Sequence, residues 1–483
     1  MNPLPGRIAA VTVAVACLAA GCGGHRGAGE WTLPNGDLAG TRVAAGANID
    51  SGNVARLRPR WRFRFRAPAS FSGIFASTPI ADARTVYVQD LRSNVFALDR
   101  ATGALRWTHH FDARNDGPNG LALGDGRIYG ATDADAFALD AKTGALLWRR
   151  HLTSEREQFV NIAPVAWKGL VFLGTVGYVP FGRGAVYALD ANNGDVRWKY
   201  DTIAKPWPHP LETGGGGIWN PVSIDDAGRL YVGTANPDPW GGTPAYPNGG
   251  AFPGRVLYTD SLLVLDARSG RLLWYDQVTP HDVRDYDFQA TPVLLGDRVI
   301  GAGKAGRVIA WDAKSRRRIW STSVGLHRND VGPLPRRRVP VCPGLLGGVE
   351  TAMASADGRV FVPVVDLCVP ESAVTTTTVD TIDPTRGKGR LIALDASTGR
   401  QLWARRFPSP SFGCATVAND VVFTATYDGT VYAVDARDGN ELWHAKLRAG
   451  SNSCPAVAGD TLLVGAGVPR HGSVEELVAY STH

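Results

Sequence analysis

The chain has 483 residues, 44% of them hydrophobic and 20% charged, and a formal net charge of +6. Its arginine clusters at 316–318 and 336–338 are typical of a solvated loop face that leans on anionic lipid headgroups, and we expect no nucleic-acid partner for a chain marked for export. No Cys-x-x-Cys-His motif, His/Cys zinc pattern, serine nucleophile elbow or Gly-rich phosphate loop ahead of a helix occurs, so the chemistries built on those motifs are not indicated.

The first 30 residues are typical of a targeting segment. Arg7 precedes the apolar run IAAVTVAVACLAA, which is too short for a comfortable membrane span, and residues 18–21 then lead into Cys22. This pattern resembles the lipobox of bacterial lipoproteins. The resemblance implies a signal peptide at 1–21, a lipid on Cys22 with a flexible tether over 22–30, and export to the cell envelope, at the outer face of the cytoplasmic membrane or in the periplasm. An ordinary secretory signal is the alternative.

Residues 31–483 are dominated by a phrase that occurs seven times: a hydrophobic run, Asp, a short turn, usually Gly, and finally Trp. A recurring phrase of this kind indicates a repeat architecture. The copies are NVFALDRATGALRW, DAFALDAKTGALLW, AVYALDANNGDVRW, SLLVLDARSGRLLW, RVIAWDAKSRRRIW, RLIALDASTGRQLW and TVYAVDARDGNELW.

Each phrase predicts a β-hairpin, because alternating apolar residues suit a strand and Asp with Gly suits a tight turn. Another strand pair precedes most phrases, so the unit is a four-stranded antiparallel sheet, and such sheets repeated around an axis form a β-propeller. The fifth copy has Arg316 where the others have Gly, and we expect its turn to be less regular.

The two ends of the chain predict an eighth blade. NVARLRPRWRFRF near the start reads as the closing strand of a phrase without its first half, and SVEELVAYST near the end reads as a first half without its Trp strand. Pairing them removes the exposed sheet edges of an open ring. The sequence therefore predicts an all-β, eight-bladed propeller in one domain, closed by both termini.

Four cysteines remain after the signal and the lipidated residue, and pairing is plausible outside the cytoplasm. Three connectivities are possible. Proximity favours Cys342 with Cys368 and Cys414 with Cys454.

The longest departures from the repeat lie between the third and fourth phrases and between the fifth and sixth, and long insertions in a propeller are where function concentrates. The first contains GGGGIWNPVSIDDAGRLYVGTANPDPWGG, and WYDQVTPHDVRDYDFQATPVL and GAGKAGRVIAWD follow the fourth phrase. These motifs, together with the opening EWTLPNGDLAGTR, resemble quinoprotein alcohol dehydrogenases that depend on pyrroloquinoline quinone (PQQ). The tryptophan phrase itself resembles the docking repeat of those propellers, in which the Trp of one blade packs on the turn of the next.

The resemblance implies a role for individual residues. Asp285 corresponds to the catalytic carboxylate that accepts the proton of the alcohol, and Lys304 to the basic residue at the quinone oxygens. Metal ligation, by calcium or a lanthanide, falls to Asn236, Asp285 and Asp287. Cofactor binding falls to Trp219 as the stacking platform, with Lys304, Asn161 and the aromatic lid Phe412.

Several positions depart from the family pattern. No acidic residue occurs between Thr175 and Gly184, where a metal-binding Glu is expected, and the adjacent cysteine pair over the quinone is absent. Asn119 stands where an arginine is usual, and Glu350 and Thr351 stand where Asn and Trp are usual.

Two functions follow. The first is an exported dehydrogenase that oxidises an alcohol or sugar with PQQ and passes electrons to a separate acceptor. The second is a lipid-anchored propeller without chemistry that binds protein or carbohydrate, like the lipoprotein of the outer-membrane-protein assembly machine. The grouping of Trp219, Asn236, Asp285 and Lys304 favours the first, because a scaffold does not require it.

Overall fold

The computed structural model describes residues 29–66, 68–69, 72–154, 156–178, 180–205, 213–249 and 254–483. Cys22 and the predicted signal peptide lie outside the described residues. Eight antiparallel sheets, each with a four-stranded core, make up the fold. This confirms the predicted eight-bladed propeller. No helix in the described part is long and apolar enough to span a bilayer.

We number the blades in chain order of their first strands. Blades 1 and 2 consist of Ile80–Ala81, Thr85–Gln89, Val95–Asp99 and Leu105–His109, and of Ala122–Gly124, Arg127–Ala131, Asp135–Asp140 and Leu146–His151. Blades 3 and 4 consist of Val165–Trp167, Leu170–Gly177, Ala185–Asp190 and Val196–Asp201, and of Ser223–Ile224, Arg229–Gly233, Ser261–Asp266 and Leu272–Gln277.

Blades 5 and 6 consist of Val293–Leu295, Arg298–Ala302, Arg307–Asp312 and Arg318–Ser323, and of Ala354–Ala356, Arg359–Asp366, Lys388–Asp395 and Gln401–Phe407. Blades 7 and 8 consist of Thr416–Ala418, Val421–Ala425, Thr430–Asp435 and Glu441–Lys446, and of Ala456–Ala458, Thr461–Ala466, Glu476–Ser481 and Arg58–Arg64. Gln158–Phe159 extends blade 3, and two further strand pairs are Gly214–Gly215 with Pro237–Asp238 and Val339–Val341 with Val369–Glu371. Short 3₁₀ turns span Val54–Arg56, Val379–Thr381 and Pro384–Arg386.

Blade 8 closes the ring with strands from both ends of the chain. Arg58–Arg64 pairs antiparallel with Glu476–Ser481, from Arg58 opposite Ser481 to Arg64 opposite Glu476. The inner faces of this blade and its neighbours form a continuous apolar core. The predicted closure by both termini is confirmed.

In the described structure, a tryptophan indole docks each of blades 1, 2, 3, 5, 6 and 8 on the turn of the following blade. The indole Nε1 of Trp107 donates to Ala141 O at 3.1 Å, and a Cβ on Gly144 of the same turn would lie 2.5 Å from the Trp107 ring. Further indole bonds of this type are made by Trp61, Trp148, Trp198, Trp320 and Trp403. The glycine of the phrase thus serves two purposes, because it takes a left-handed backbone and leaves room for the indole.

The expected irregular turn at Arg316 is not observed. Arg316 adopts φ of +62°, and its N–H donates to Asp312 O at 2.8 Å, as Gly103 does to Asp99 O at 2.8 Å. The Asp312 carboxylate accepts from the backbone N–H groups of the turn, as in the other copies. The capping aspartate therefore keeps the turn regular without glycine.

Residues 31–44 cross one end of the central channel. They exchange backbone hydrogen bonds with the ends of first strands in blades 1, 2, 4, 5, 6 and 7. Arg42 is fully buried there and donates to five acceptors, among them Pro34 O, Ala415 O and Pro455 O. The other end of the channel is where first strands begin and second strands end.

Both favoured disulfides are present. The Cα atoms of Cys342 and Cys368 are 4.5 Å apart, and those of Cys414 and Cys454 are 4.8 Å apart. The second bridge joins the entries to blades 7 and 8.

We expect Gly144→Ala to lower the free energy of unfolding by about 2 kcal/mol or more, because the left-handed backbone disfavours a Cβ and the added methyl meets the Trp107 ring. Gly126→Ala is the matched control, since Gly126 has φ of +72° and nothing within 4 Å of the added Cβ. Its expected cost is about 1 kcal/mol. Urea unfolding followed by Trp fluorescence measures both, and equal losses would contradict the docking role of the glycine.

Candidate functional site

The motif residues meet at the end of the channel opposite residues 31–44. Asn236 follows the second strand of blade 4, and Lys304 follows the second strand of blade 5. Asp285 and Asp287 lie in the segment that leads from blade 4 to the first strand of blade 5. In an antiparallel blade the end of the second strand lies beside the start of the first strand, so the topology gathers these side chains at one rim.

Lys304 is the centre of the site. Its ammonium Nζ lies 3.0 Å from Asp285 Oδ2 and 2.7 Å from Asp287 Oδ2. The backbone N–H of Asn236 donates to Asp287 Oδ1 at 2.7 Å, which holds that carboxylate in place. The side chains of Lys304, Asp285 and Asp287 are 10%, 13% and 2% exposed. The sequence pattern therefore identified one connected, nearly buried cluster.

The loop backbone positions the cluster closely. The N–H of Lys304 donates to Asp287 O at 2.9 Å. A Cβ on Gly303 would lie 2.0 Å from the same oxygen, so only glycine permits this approach of the two loops. Asp285, in the loop that leads from blade 4 to blade 5, has a left-handed backbone with φ of +63°. A strained non-glycine residue of this kind is common at functional sites.

Burial sets the electrostatics of the site. It raises the pKa of Asp285 well above its usual range, an effect that the Lys304 ammonium opposes. Burial by itself would lower the pKa of Lys304, but Asp285, Asp287 and Glu350 together raise it well above its usual range. Lys304 is therefore charged in the interior, and its ammonium opposes, without cancelling, the effect of burial on the pKa of Asp285.

Two buried acids that the motifs did not indicate stand beside this cluster. Asp260 is fully buried with no hydrogen-bond partner for either carboxylate oxygen in the described structure, and burial, with Asp282 and Asp287, raises its pKa well above the usual range. Burial raises the pKa of Glu350 to about 8, and its Oε2 accepts from Gln289 Nε2 at 3.0 Å. The sequence signal of Asp260 is weak, since an Asp before a strand is usually a turn residue.

Two aromatic rings border the cluster. The ring centroids of Trp219 and Tyr178 are 6.4 Å apart with planes at 54°. Burial raises the pKa of the Tyr178 phenol, and the Asp285 carboxylate adds to that shift. Tyr178 thus lies within electrostatic range of the Asp285 carboxylate. No sequence motif indicated Tyr178, although it lies between Thr175 and Gly184, where the family pattern has an acidic metal ligand.

The other two predicted cofactor residues lie farther along the rim. Asn161 is buried before the first strand of blade 3. Phe412 lies before the first strand of blade 7 and meets Tyr427 edge-on, with centroids 5.5 Å apart. Within the described chain no ring contact joins Phe412 to Trp219, so the lid role stays a prediction.

The described residues contain no group of three or more His, Cys, Asp or Glu side chains arranged to hold a metal ion. Asn236 turns its amide Nδ2 onto Pro237 O at 2.9 Å, and Lys304 already bridges the two carboxylates. The donor chemistry suits a hard cation, but the arrangement is that of a carboxylate–ammonium cluster. Metal ligation by Asn236, Asp285 and Asp287 stays a prediction.

Buried polar atoms that have no hydrogen-bond partner among the described residues occur around the same rim. They precede the first strands of blades 2, 6, 7 and 8: Asn119 Oδ1, Glu350 Oε1, Thr351 Oγ1, Ser411 Oγ and Asn452 Oδ1. Buried polar groups in native proteins nearly always have partners, so such a set indicates a polar ligand or ordered water at the channel mouth.

Solved structures place this architecture among the quinoprotein dehydrogenase propellers. The quinohemoprotein alcohol dehydrogenase of Comamonas testosteroni superposes with a TM-score of 0.79 at 23% identity, covering 94% of this chain and 80% of that one. A europium-containing methanol dehydrogenase gives 0.80 at 22% identity, covering 94% and 98%. Likenesses at this identity define the fold.

The family follows from the sequence matches. The model of the glucose/ethanol/alcohol dehydrogenase β-propeller domain matches residues 31–315, and that of the outer membrane protein assembly factor BamB matches residues 338–481. The chain belongs to the glucose/ethanol/alcohol dehydrogenase β-propeller family. The first match includes the cluster around Lys304 and the two aromatic residues beside it, Trp219 and Tyr178.

Curated relatives agree with this assignment. The Comamonas testosteroni quinohemoprotein alcohol dehydrogenase is 28% identical over an alignment of 480 residues that covers 83% of this chain and 66% of the relative. The quinohemoprotein alcohol dehydrogenase ADH IIB of Pseudomonas putida is 28% identical over 312 residues, 58% of this chain and 44% of the relative. The chain thus matches less than two thirds of the length of either protein.

We expect Glu350→Gln to reduce the loss of stability that accompanies a rise in pH from about 5 to about 8. Between about pH 4.5 and 8 the folded protein keeps a proton on Glu350 that the unfolded chain has released, so rising pH lowers the free energy of unfolding through this group. The variant has no such proton. Its fall in melting temperature between about pH 5 and about pH 8 is therefore smaller than that of the wild type.

Asp226→Asn is the control, because Asp226 lies exposed on a turn of blade 4. It should follow the wild-type pH profile. A Glu350→Gln profile parallel to the wild type would show that Glu350 is ionised in the folded protein.

Proposed function

We propose that this protein is a quinoprotein dehydrogenase that oxidises an alcohol or sugar by hydride transfer to bound PQQ. The observation that carries the proposal is the buried contact of Lys304 Nζ with Asp285 Oδ2 at 3.0 Å, at the channel mouth. A buried carboxylate kept near a fixed cation is a suitable general base. Membership of the dehydrogenase family supports the same reaction class.

The rim residues fit PQQ, a flat anionic ring system with carboxylate and carbonyl oxygens. Trp219, half-buried and paired with Tyr178, offers an aromatic surface for stacking. Lys304 offers a permanent positive charge for quinone oxygens. Thr351 and Ser411 have buried hydroxyls without partners that can donate to carboxylates. We therefore assign cofactor binding to Trp219 and Lys304, with Asn161 as a further contact.

The residues divide the reaction between them. Asp285 accepts the proton of the substrate hydroxyl on a carboxylate oxygen, and Lys304 favours the ionised form of Asp285 that this requires. The Asn236 N–H fixes Asp287, which in turn holds the ammonium from its second side. When bound, PQQ supplies the acceptor for the hydride of the substrate carbon. The low-dielectric rim strengthens each of these interactions.

A calcium or lanthanide ion would be held by oxygens of the same cluster. Carboxylate oxygens of Asp285 and Asp287 and the amide oxygen of Asn236 are the donors that such cations prefer. An ion at these oxygens competes with the Lys304 ammonium for the same lone pairs.

A separate electron acceptor belongs to this proposal. Export and anchoring through a lipid on Cys22 belong to the same proposal and rest on the sequence of residues 1–28. The alternative function, a propeller that binds protein or carbohydrate without chemistry, draws support from the second family match over blades 6 to 8. Failure of PQQ to bind would favour this alternative function over the dehydrogenase.

We expect PQQ to bind the purified protein saturably in the presence of calcium or lanthanum, and Lys304→Ala to weaken binding about 10- to 100-fold. The expected loss corresponds to about 1.5–3 kcal/mol for a hydrogen bond to a charged group. Titration followed by cofactor absorbance and Trp fluorescence measures it. Lys314→Ala is the matched control, because Lys314 is 74% exposed and pairs with Asp297 on blade 5. Absence of saturable binding with either metal would rule out the dehydrogenase.

We expect Asp285→Asn to lower kcat for alcohol oxidation about 10²- to 10⁴-fold, because the amide cannot accept the proton. PQQ affinity should change much less, since the shape of the side chain is kept. Dye reduction by the PQQ-loaded protein measures the rate. Asp297→Asn serves as the comparison, with its carboxylate 61% exposed. Wild-type turnover by Asp285→Asn would assign the base elsewhere.

A further inference from the structure

The second long insertion builds a cavity on blade 6 that is separate from the channel mouth. Its volume is about 1390 Å³. One wall is the strand pair Val339–Val341 with Val369–Glu371, which the Cys342–Cys368 disulfide ties together. Other walls are residues 376–386 and the ends of the outer strands of blade 6. None of the residues that line it belongs to the cluster around Lys304.

The cavity carries an excess of positive charge. Five basic side chains line it, against the two acids Asp366 and Asp383: Arg338, Arg386, Lys388, Arg390 and Arg406. Arg390 pairs with Asp366, and Asp383 is occupied with the N–H and hydroxyl of Thr385. Most of the positive charge is therefore not neutralised within the cavity.

In the described part of the chain, the guanidinium groups of Arg338, Arg386 and Arg406 make no direct hydrogen bond or ion pair. Two of them act on acids at longer range, since Arg338 opposes the rise in the pKa of Glu371 and Arg386 contributes to the lowered pKa of Asp383. All three are exposed and face one concavity rather than being scattered over the surface. Low-dielectric walls concentrate the field of such a group and attract anions. Arginine also presents a planar fork that matches carboxylate and phosphate oxygens.

The uncharged residues that line the cavity are of two kinds, threonines and apolar residues. Threonines at 376, 377, 378 and 381 line the cavity, and Thr378 among them is exposed. The hydroxyls of Thr377 and Thr381 donate to Pro370 O and Thr378 O. Pro340, Pro370 and Pro408 bring flat apolar faces, and Leu326 is 46% exposed beside them. Hydroxyl groups with small apolar faces suit a ligand with many hydroxyls and a C–H surface. The concave shape favours a small molecule over a protein partner.

We propose that this cavity binds an anionic carbohydrate, with Arg338, Arg386 and Arg406 holding its phosphate or carboxylate group. The threonines and prolines face the sugar rings. The volume exceeds the roughly 300–1,000 Å³ of most small-molecule pockets, so it accommodates more than one ring. The disulfide and the paired strands hold the walls in place before binding, which reduces the ordering cost. This site is independent of PQQ.

Isothermal titration calorimetry of the cofactor-free protein at low salt tests the proposal. The probes are glucose 6-phosphate and glucuronate, with glucose and inorganic phosphate as comparators. We expect at least one anionic sugar to bind more tightly than both comparators and to weaken as salt is added. Arg338→Ala and Arg406→Ala should each weaken binding about tenfold or more, which is about 1.4 kcal/mol.

Arg317→Ala is the matched control, an exposed arginine on the blade 5 turn outside the cavity, and it should bind like the wild type. An equal loss in Arg317→Ala would indicate non-specific charge attraction and overturn the site. Absence of saturable binding by either anionic sugar, or phosphate binding as tightly as glucose 6-phosphate, would overturn the carbohydrate assignment. Circular dichroism and melting temperature confirm that the variants fold. Because no PQQ is present, the outcome does not depend on the dehydrogenase assignment.

Discussion

Closure of the ring is the constraint on which the rest of the structure depends. The strand Arg58–Arg64 pairs with Glu476–Ser481 from the other end of the chain, and this pairing completes blade 8 and closes the ring. Six of the described junctions between neighbouring blades are also joined by a tryptophan on a turn, so the positions of the rim loops are determined by the ring as a whole. A site assembled from blades 3, 4, 5 and 6 requires that rigidity, because its side chains come from distant parts of the chain.

Within that frame, charge imbalance gives the rim its chemistry. One buried ammonium, Lys304, is shared by Asp285 and Asp287, while Asp260 and Glu350 stand nearby with raised pKa values. Burial of so many acids around one cation is costly unless protons or further cations compensate. A structural core gains nothing from such an arrangement. The same imbalance is what a proton-accepting site needs, because it keeps a carboxylate poised between its two protonation states.

Function is distributed over the departures from the repeat. The regular phrases supply blades, turns and docking tryptophans, and they are nearly interchangeable around the ring. The first insertion and the segment after blade 4 supply Trp219, Asn236 and Asp285, whereas the second insertion supplies Glu350 and the basic cavity with Arg338. Loops at one end of a rigid ring can diverge without loss of the core, so one propeller can carry two separate sites.

The sequence by itself determined the architecture, because period, alternation and turn residues are local, and the two half-phrases at the ends predicted the eighth blade. It also identified Asp285 and Lys304 through motifs a few residues long. Only the tertiary structure decided that Lys304 bridges two carboxylates, that Tyr178, Asp260 and Glu350 join them, and that Arg316 keeps a regular turn. These depend on contacts between residues far apart in sequence and on burial, which set pKa values and charge pairing and which leave no local pattern in the chain.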